Sequence, residues 1–343
     1  MRDLDALTSW HAHWRGLRVA VLGLGLTGFA VADTLVELGA RVRVLASGDD
    51  AERERLLEVI GAEFARDNLE ASIAEFDPDL VVTSPGFRPN HPLLLWAAGH
   101  GVTVWGDIEL AWRVRDKVKA AEWITVTGTL GKSTTAELAA HLIAAAGHRV
   151  AAVGNIGVPV LDAVREPTGF DVLVVELSSA QLHWMNSTIA GSVSPLASVC
   201  LNHRAGHHHW HGSAASYAAA HAKVYDNTRV ACIYNKSDAA TLHMVEEAEV
   251  VDGARAIGFD LGTPGPSDLG MVGDIIVDRA FHDDRHASAL ELTTHGELAG
   301  IGMAEPHGVA NVLAASALAR AFGVPAATVG TAIASFRRHP GSN

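Results

Sequence analysis

Residues 122–147 read EWITVTGTLGKSTTAELAAHLIAAAG. A β-branched apolar run leads into a short glycine-bearing turn, and an alanine-rich helix follows and stops at Gly147. A strand that enters a helix through such a turn gathers backbone N–H groups and the helix N-terminus at one point, and phosphate binds there. Gly128 and Gly131 allow the turn, with Thr129 and Thr134 beside them. Lys132 supplies a charge for terminal phosphates, and the Ser133 hydroxyl can hold a magnesium ion. The spacing departs from the usual G-x-x-x-x-G-K-[ST], because position 126 is Val126. The stretch predicts nucleotide binding in an α/β fold.

The same alternation extends in both directions. Upstream, LRVAVL (17–22), RVRVLA (41–46), DLVVTSPG (79–86) and VTVWGDIELAW (102–112) are strand runs separated by helical segments, and this first unit closes near Lys119. Downstream, RVAAVGNIG (149–157), FDVLVVELSS (170–179), SPLASVCLN (194–202) and RVACIYN (229–235) each end in polar or glycine residues. Strands alternating with helices predict parallel sheets with ligands at their C-terminal edges. Two domains follow, 1–119 and 120–343.

Composition narrows the function. The 343 residues are 48% hydrophobic and carry a net charge of −13, which argues against a nucleic-acid partner, since that needs a basic face. Two distant cysteines, Cys200 and Cys232, suggest a reducing interior rather than a disulfide framework. The N-terminus lacks a signal-peptide pattern, and no apolar run is long enough to span a bilayer. A cytoplasmic location with no membrane partner is expected. Trp96, Trp105 and Trp112 read as core or domain-surface residues, and DDAERERLLE as a solvated helix face.

Gly23, Gly25 and Gly28 match G-x-G-x-x-G after a strand. An NAD site would want an acid at the end of the second strand; Ala46 and Ser47 stand there, and the acids arrive only at Asp49 and Asp50. These glycines therefore serve either close helix–sheet packing or another diphosphate.

In combination, GLGLTG, SPG (84–86), GDIELAW (106–112), GTLGKSTT, GNIG (154–157), VELSSAQL (175–182) and a histidine-containing loop after LN at 201 resemble the Mur ligase family, and most of all its D-glutamate-adding branch. The resemblance implies a Rossmann-like, UDP-binding N-terminal domain followed by a central P-loop-type ATPase domain. It implies ATP and Mg2+ as cofactors and an ATP-dependent acid–amino-acid ligase acting on a UDP-sugar-type or related carboxylate. It places Gly25, Leu26 and Thr27 in the UDP loop and Asn155 and Gln181 near the muramoyl substrate. Lys132 falls on the phosphates, Asn235 and His307 near the adenine, and Ser133, Glu176 and His207 around the metals. The family's third domain, which brings the amino acid, has no counterpart before the chain stops at SFRRHPGSN; a partner chain supplying it is one expectation, and impaired ligation by the isolated chain is another.

The departures from the family pattern cluster at the chemical centre. Leu130 replaces an asparagine, Gly206 and His209 replace aspartates, His221 replaces a lysine that is carbamylated in the family, and Lys223 lies two positions on. Ala180 replaces an apolar or aromatic residue, and Gly308 follows His307 where the family has asparagine. Five histidines fall within LNHRAGHHHWHGS (201–213). Imidazole suits zinc, iron or copper better than magnesium, so a transition metal held by Glu176, His207 and His221, with His203 or His209, is one reading. A polar loop over a lost metal site is a second, and retained magnesium chemistry a third. At the level of the whole protein, the alternatives to a ligase are a repurposed metal-dependent enzyme and a non-catalytic nucleotide-binding subunit.

Overall fold

The computed structural model describes residues 3–48, 50–186 and 191–337, so Asp49 and the 338–343 end of the chain lie outside it, as does the side chain of His208. The first sheet contains β1 (Arg18–Leu22), β2 (Arg41–Leu45), β3 (Glu63–Ala65), β4 (Leu80–Thr83) and β5 (Thr103–Gly106). All pairs are parallel and the order is β3-β2-β1-β4-β5. The order reverses beside β1, and in open α/β sheets that crevice is where ligands bind. β1 and β4 read RVAVL and LVVT and are almost wholly buried, as strands covered by helices on both faces must be.

The second sheet has nine strands: β6 (Glu122–Thr127), β7 (Val150–Gly154), β8 (Val172–Glu176), β9 (Ala197–Cys200), β10 (Ala231–Asn235), β11 (Arg255–Phe259), β12 (Asp268–Val272), β13 (Ile275–Asp278) and β14 (Leu290–Thr294). Its order is β14-β13-β12-β11-β10-β9-β6-β8-β7. β7 through β12 form the parallel array expected from the alternating runs, while β12, β13 and β14 pair antiparallel, an extension that strand–helix alternation does not foreshadow. β6 lies between β8 and β9, so the loops after all three open at the same sheet edge.

The two sheets share one apolar cluster. Trp105 and Trp112 from the first unit and Trp123 on β6 belong to it, with Trp112 and Trp123 edge to face at 5.1 Å. Polar links reinforce it: Arg165 pairs with Asp33 at 2.6 Å and Glu37 at 2.9 Å. Within GDIELAWR, Glu109 and Arg113 form a fully buried ion pair at 2.9 Å. The Arg113 guanidinium also donates to the Leu7 carbonyl at 3.2 Å and lies 4.2 Å from the Trp105 ring centroid. This motif is thus a structural joint. The acidic 51–60 helix buries only Leu57, as a solvated face should. Cys200 and Cys232 are both free and buried. No helix among the described residues is long and apolar enough to cross a membrane.

Candidate active site

The turn after β6 is held open by its neighbours. Gly131 has φ +87, and a Cβ there would stand 2.4 Å from Asn311 Oδ1, so only glycine fits between the loop and the Pro306–Phe322 helix. Asn202, just past β9, clamps the loop from the other side: its Oδ1 accepts from Leu130 N–H and its Nδ2 donates to the Leu130 carbonyl, both at 2.9 Å. Thr129 N–H donates to the Asn202 carbonyl at 3.0 Å. Lys132 opens the Lys132–Ala145 helix, and its Nζ donates to the carbonyls of Gly128 at 3.0 Å and Thr129 at 3.4 Å. Ser133 follows, half-buried in the first turn, beside buried Thr134. Sequence reasoning missed Asn202 and Asn311, because an asparagine's role as a loop clamp depends on which strand or helix ends beside the loop.

Two cavities flank this turn, and a third adjoins one of them. The largest, about 590 Å³, lies on the Gly131 side and is lined by Leu130, Thr134, Asn235, Phe259, Met303 and His307 among others. It brings together Asn235 and His307, 72 positions apart in sequence, against the loop. The Asn235 amide donates to the Leu201 carbonyl at 3.0 Å and accepts from Ser237 N–H at 2.9 Å, so it is fixed as part of the wall.

A second cavity of about 260 Å³ lies on the Gly128 side, with Lys132, Asn155, His207, His209, His211 and His221 on its walls. The third, about 220 Å³, is formed by Leu26, Thr27 and Pro85 from the first unit and Gly154, Asn155 and Gln181 from the second. Gly25 caps the helix that begins at Leu26. Asn155 lines both smaller cavities and so joins them. Close packing accounts for Gly28 in GLGLTG: a Cβ there would stand 2.1 Å from the Gly23 carbonyl oxygen.

Glu176 ends β8 and is 1% exposed. Its Oε1 accepts from Asn155 Nδ2 at 2.9 Å, and its Oε2 is buried without a partner. A buried carboxylate oxygen with nothing to bind is costly, and a hard cation would satisfy it. Ser133 and Glu176 are oxygen donors that suit magnesium.

The imidazoles behave differently. His203 and His221 meet through their Nδ1 atoms at 3.2 Å, so one ring donates to the other and that lone pair is spent. Burial, with help from the neighbouring His203 and Lys132, drives the His221 pKa down to about 3, and burial lowers that of His203. His211 Nε2 contacts Ser179 Oγ at 2.9 Å. His207 has φ +51 and is exposed, as is His209, and the two ring centroids lie 6.1 Å apart. Among the described residues no group of three or more His, Cys, Asp or Glu is arranged to hold a metal. The expected transition-metal centre on Glu176, His207, His221, His203 and His209 is therefore not supported: His203 and His221 spend a nitrogen on each other, and no set of three donors is assembled among the described residues. Lys223 does not replace the lysine lost at 221, because its Nζ donates to the carbonyls of His183 at 2.9 Å and Met185 at 2.8 Å.

Gln181 is set by its own network. It accepts from Ser178 N–H at 3.0 Å and donates from Nε2 to Asp107 Oδ2 at 3.0 Å. Asp107 is 6% exposed, and burial lifts its pKa from 3.8 to about 6. A carboxyl raised in the folded state stabilises fully below the unfolded pKa and loses that stability as pH rises through the folded one. The stability of the parent relative to Asp107→Asn should thus fall by roughly 2 kcal/mol between pH 4 and pH 7. Denaturant melts of both proteins across that range measure it; parallel curves refute it.

Comparison with known proteins places this geometry. The family pattern described as Mur ligase middle domain matches residues 126–319, and Mur ligase MurD-like, N-terminal domain matches residues 17–106. The UDP-N-acetylmuramoylalanine--D-glutamate ligase of Leifsonia xyli subsp. xyli is 61% identical over 97% of this chain and 67% of its own length. The enzyme of the same name from Streptomyces avermitilis is 49% identical over 95% of this chain and 68% of its own length. In structure, the chain is similar to UDP-N-acetylmuramate:L-alanyl-gamma-D-glutamyl-meso-diaminopimelate ligase from Neisseria meningitides, with a TM-score of 0.59 at 17% identity over 95% of this chain and 99% of that one. It is also similar to UDP-N-acetylmuramate-alanine ligase from Thermotoga maritima, with a TM-score of 0.50 at 23% identity over 94% of this chain and 69% of that one. At these identities the structural likeness is one of fold. The chain spans about two thirds of the sequence relatives, whose remaining third lies in the same polypeptide, so the expectation of a partner chain carrying it finds no support. By sequence and by fold, this chain belongs to the Mur ligase family and is MurD-like within it.

Proposed function

We propose that this protein is an ATP-dependent ligase that joins D-glutamate to a UDP-N-acetylmuramoyl-linked carboxylate, the activity named in its relatives. One observation carries the reading: the phosphate turn stands between a cleft of about 590 Å³ and a pocket that continues, through Asn155, into a cavity walled by residues of both units. Residues 1–119 hold the UDP moiety at Gly25, Leu26 and Thr27, and residues 120–343 hold ATP. The adenine lies against Asn235 and His307, and the phosphates rest on Gly128, Thr129, Gly131, Lys132, Ser133 and Thr134. Asn155 and Gln181 orient the carboxylate substrate toward the terminal phosphate.

Ser133 and Glu176 offer the oxygen donors for Mg2+, which offsets the charge between two anions when bound. Lys132 and the loop amides do the same from the protein side. His207 sits at the mouth of the reaction pocket. Uncharged imidazole at His221 stands where the family carries a carboxylate-bearing lysine, so phosphoryl transfer runs slower than in the relatives. The test is ADP formation by the purified protein with ATP, Mg2+, UDP-N-acetylmuramoyl-L-alanine and D-glutamate. Turnover that requires the sugar nucleotide supports the reading. ADP formation that is indifferent to the sugar nucleotide, or saturable binding of neither nucleotide, overturns it.

A further inference from the structure

The phosphate turn is flanked by two cations, and only one of them belongs to it. Lys132 lines the histidine-side pocket. Arg204 lines the base-side cleft together with Leu130, Gly131 and Thr134. Arg204 lies two residues beyond the Asn202 clamp, and its own N–H donates to Thr129 Oγ1 at 3.0 Å. With the two Asn202–Leu130 bonds and the Thr129–Asn202 bond, four hydrogen bonds tie 202–204 to 129–130. The backbone that carries Arg204 is thus fixed against the turn. Its side chain is exposed, and among the described residues no carboxylate pairs with it. In a chain of net charge −13, a cation beside a phosphate-binding turn without an acidic partner calls for an anion.

Resting on the ATP reading above, we propose that Arg204 is a second phosphate-binding residue that holds the phosphate nearest the ribose, while Lys132 takes the terminal end. The order follows from the cavities. A nucleotide whose base fills the larger cleft passes Arg204, Leu130 and Gly131 before its phosphates reach Gly128 and Lys132. The guanidinium fork matches two phosphate oxygens at once, which an ammonium cannot do. Arg204 acts as a binding residue from outside the loop motif.

The experiment measures adenosine, AMP and ATP by competition against a fluorescent ATP analogue, on the parent, Arg204→Gln, Arg204→Lys and Lys132→Ala at one salt concentration. Arg204→Gln should weaken AMP and ATP by a similar factor, roughly tenfold or more for a charge-assisted contact, and leave adenosine unchanged. Arg204→Lys should recover part of the loss. Lys132→Ala should weaken ATP far more than AMP. Unchanged AMP and ATP affinity in Arg204→Gln overturns the proposal alone, as does an equal loss for adenosine, which would mean that the side chain covers the base. A parent that binds no nucleotide overturns the ATP reading and this proposal with it. Because Arg204 is exposed, matching melting temperatures confirm that the variants are folded.

Discussion

Lys132→Ala weakens ATP binding by about one to two orders of magnitude, the loss of roughly 1.5–3 kcal/mol expected when a charge-assisted hydrogen bond to phosphate disappears. The Lys132 ammonium now donates to the Gly128 and Thr129 carbonyls, inside the turn and at the wall of the reaction pocket. Those carbonyls are weak partners for a full charge, so an entering phosphate displaces them at little cost. Lys119 is the control: it is 60% exposed, pairs with Asp171 at the surface, and should be silent on substitution. Calorimetric titration of ATP settles the matter. An affinity within twofold of the parent, in a variant that melts normally, removes Lys132 from the site.

Glu109→Ala destabilises the protein by about 3–5 kcal/mol, because it strands the buried Arg113 charge. Both side chains are at most 1% exposed. The remaining Arg113 partners, the Leu4 and Leu7 carbonyls and the Trp105 face, are neutral and leave the guanidinium uncompensated. Burial raises the Glu109 pKa even against the opposing pull of Arg113, which shows how strongly this joint is desolvated. Replacing both partners with apolar groups, Glu109→Leu with Arg113→Met, should recover most of the loss, since desolvation of the pair offsets much of its attraction. Scanning calorimetry on the two variants tests this. A single variant that melts with the parent, or a double variant worse than the single one, contradicts it.

The contrast between these residues shows what could be read from the chain. Lys132 was legible because its role depends on three adjacent features: a β-branched strand, a glycine turn and a helix start. Glu109 was legible only as part of a motif, and its buried pairing one helical turn away depends on the 3–7 segment and Trp105 folding over it. The antiparallel β12–β14 extension escaped because its runs are short and carry glycine and acids, with a polar stretch before β14. Pairing partners, rather than local alternation, make them strands.

The histidine loop marks the boundary most clearly. Residue types alone named imidazole as the donor chemistry of 203–221 and the parallel array as the place where those donors gather. Direction was beyond their reach. A metal needs three lone pairs aimed at one point, and aim is set by backbone placement and ring rotation. Here Nδ1 of His203 faces Nδ1 of His221, Asn155 takes one oxygen of Glu176, and His207 stands exposed at the pocket mouth on a left-handed backbone. The sequence by itself determined the α/β architecture, the phosphate turn and the family, because periodicity, spacing and motif order are local or additive properties. Only the tertiary structure decided which side chains share a cavity and which consume one another's hydrogen-bonding capacity, because those depend on the packing of strands that lie far apart in the chain.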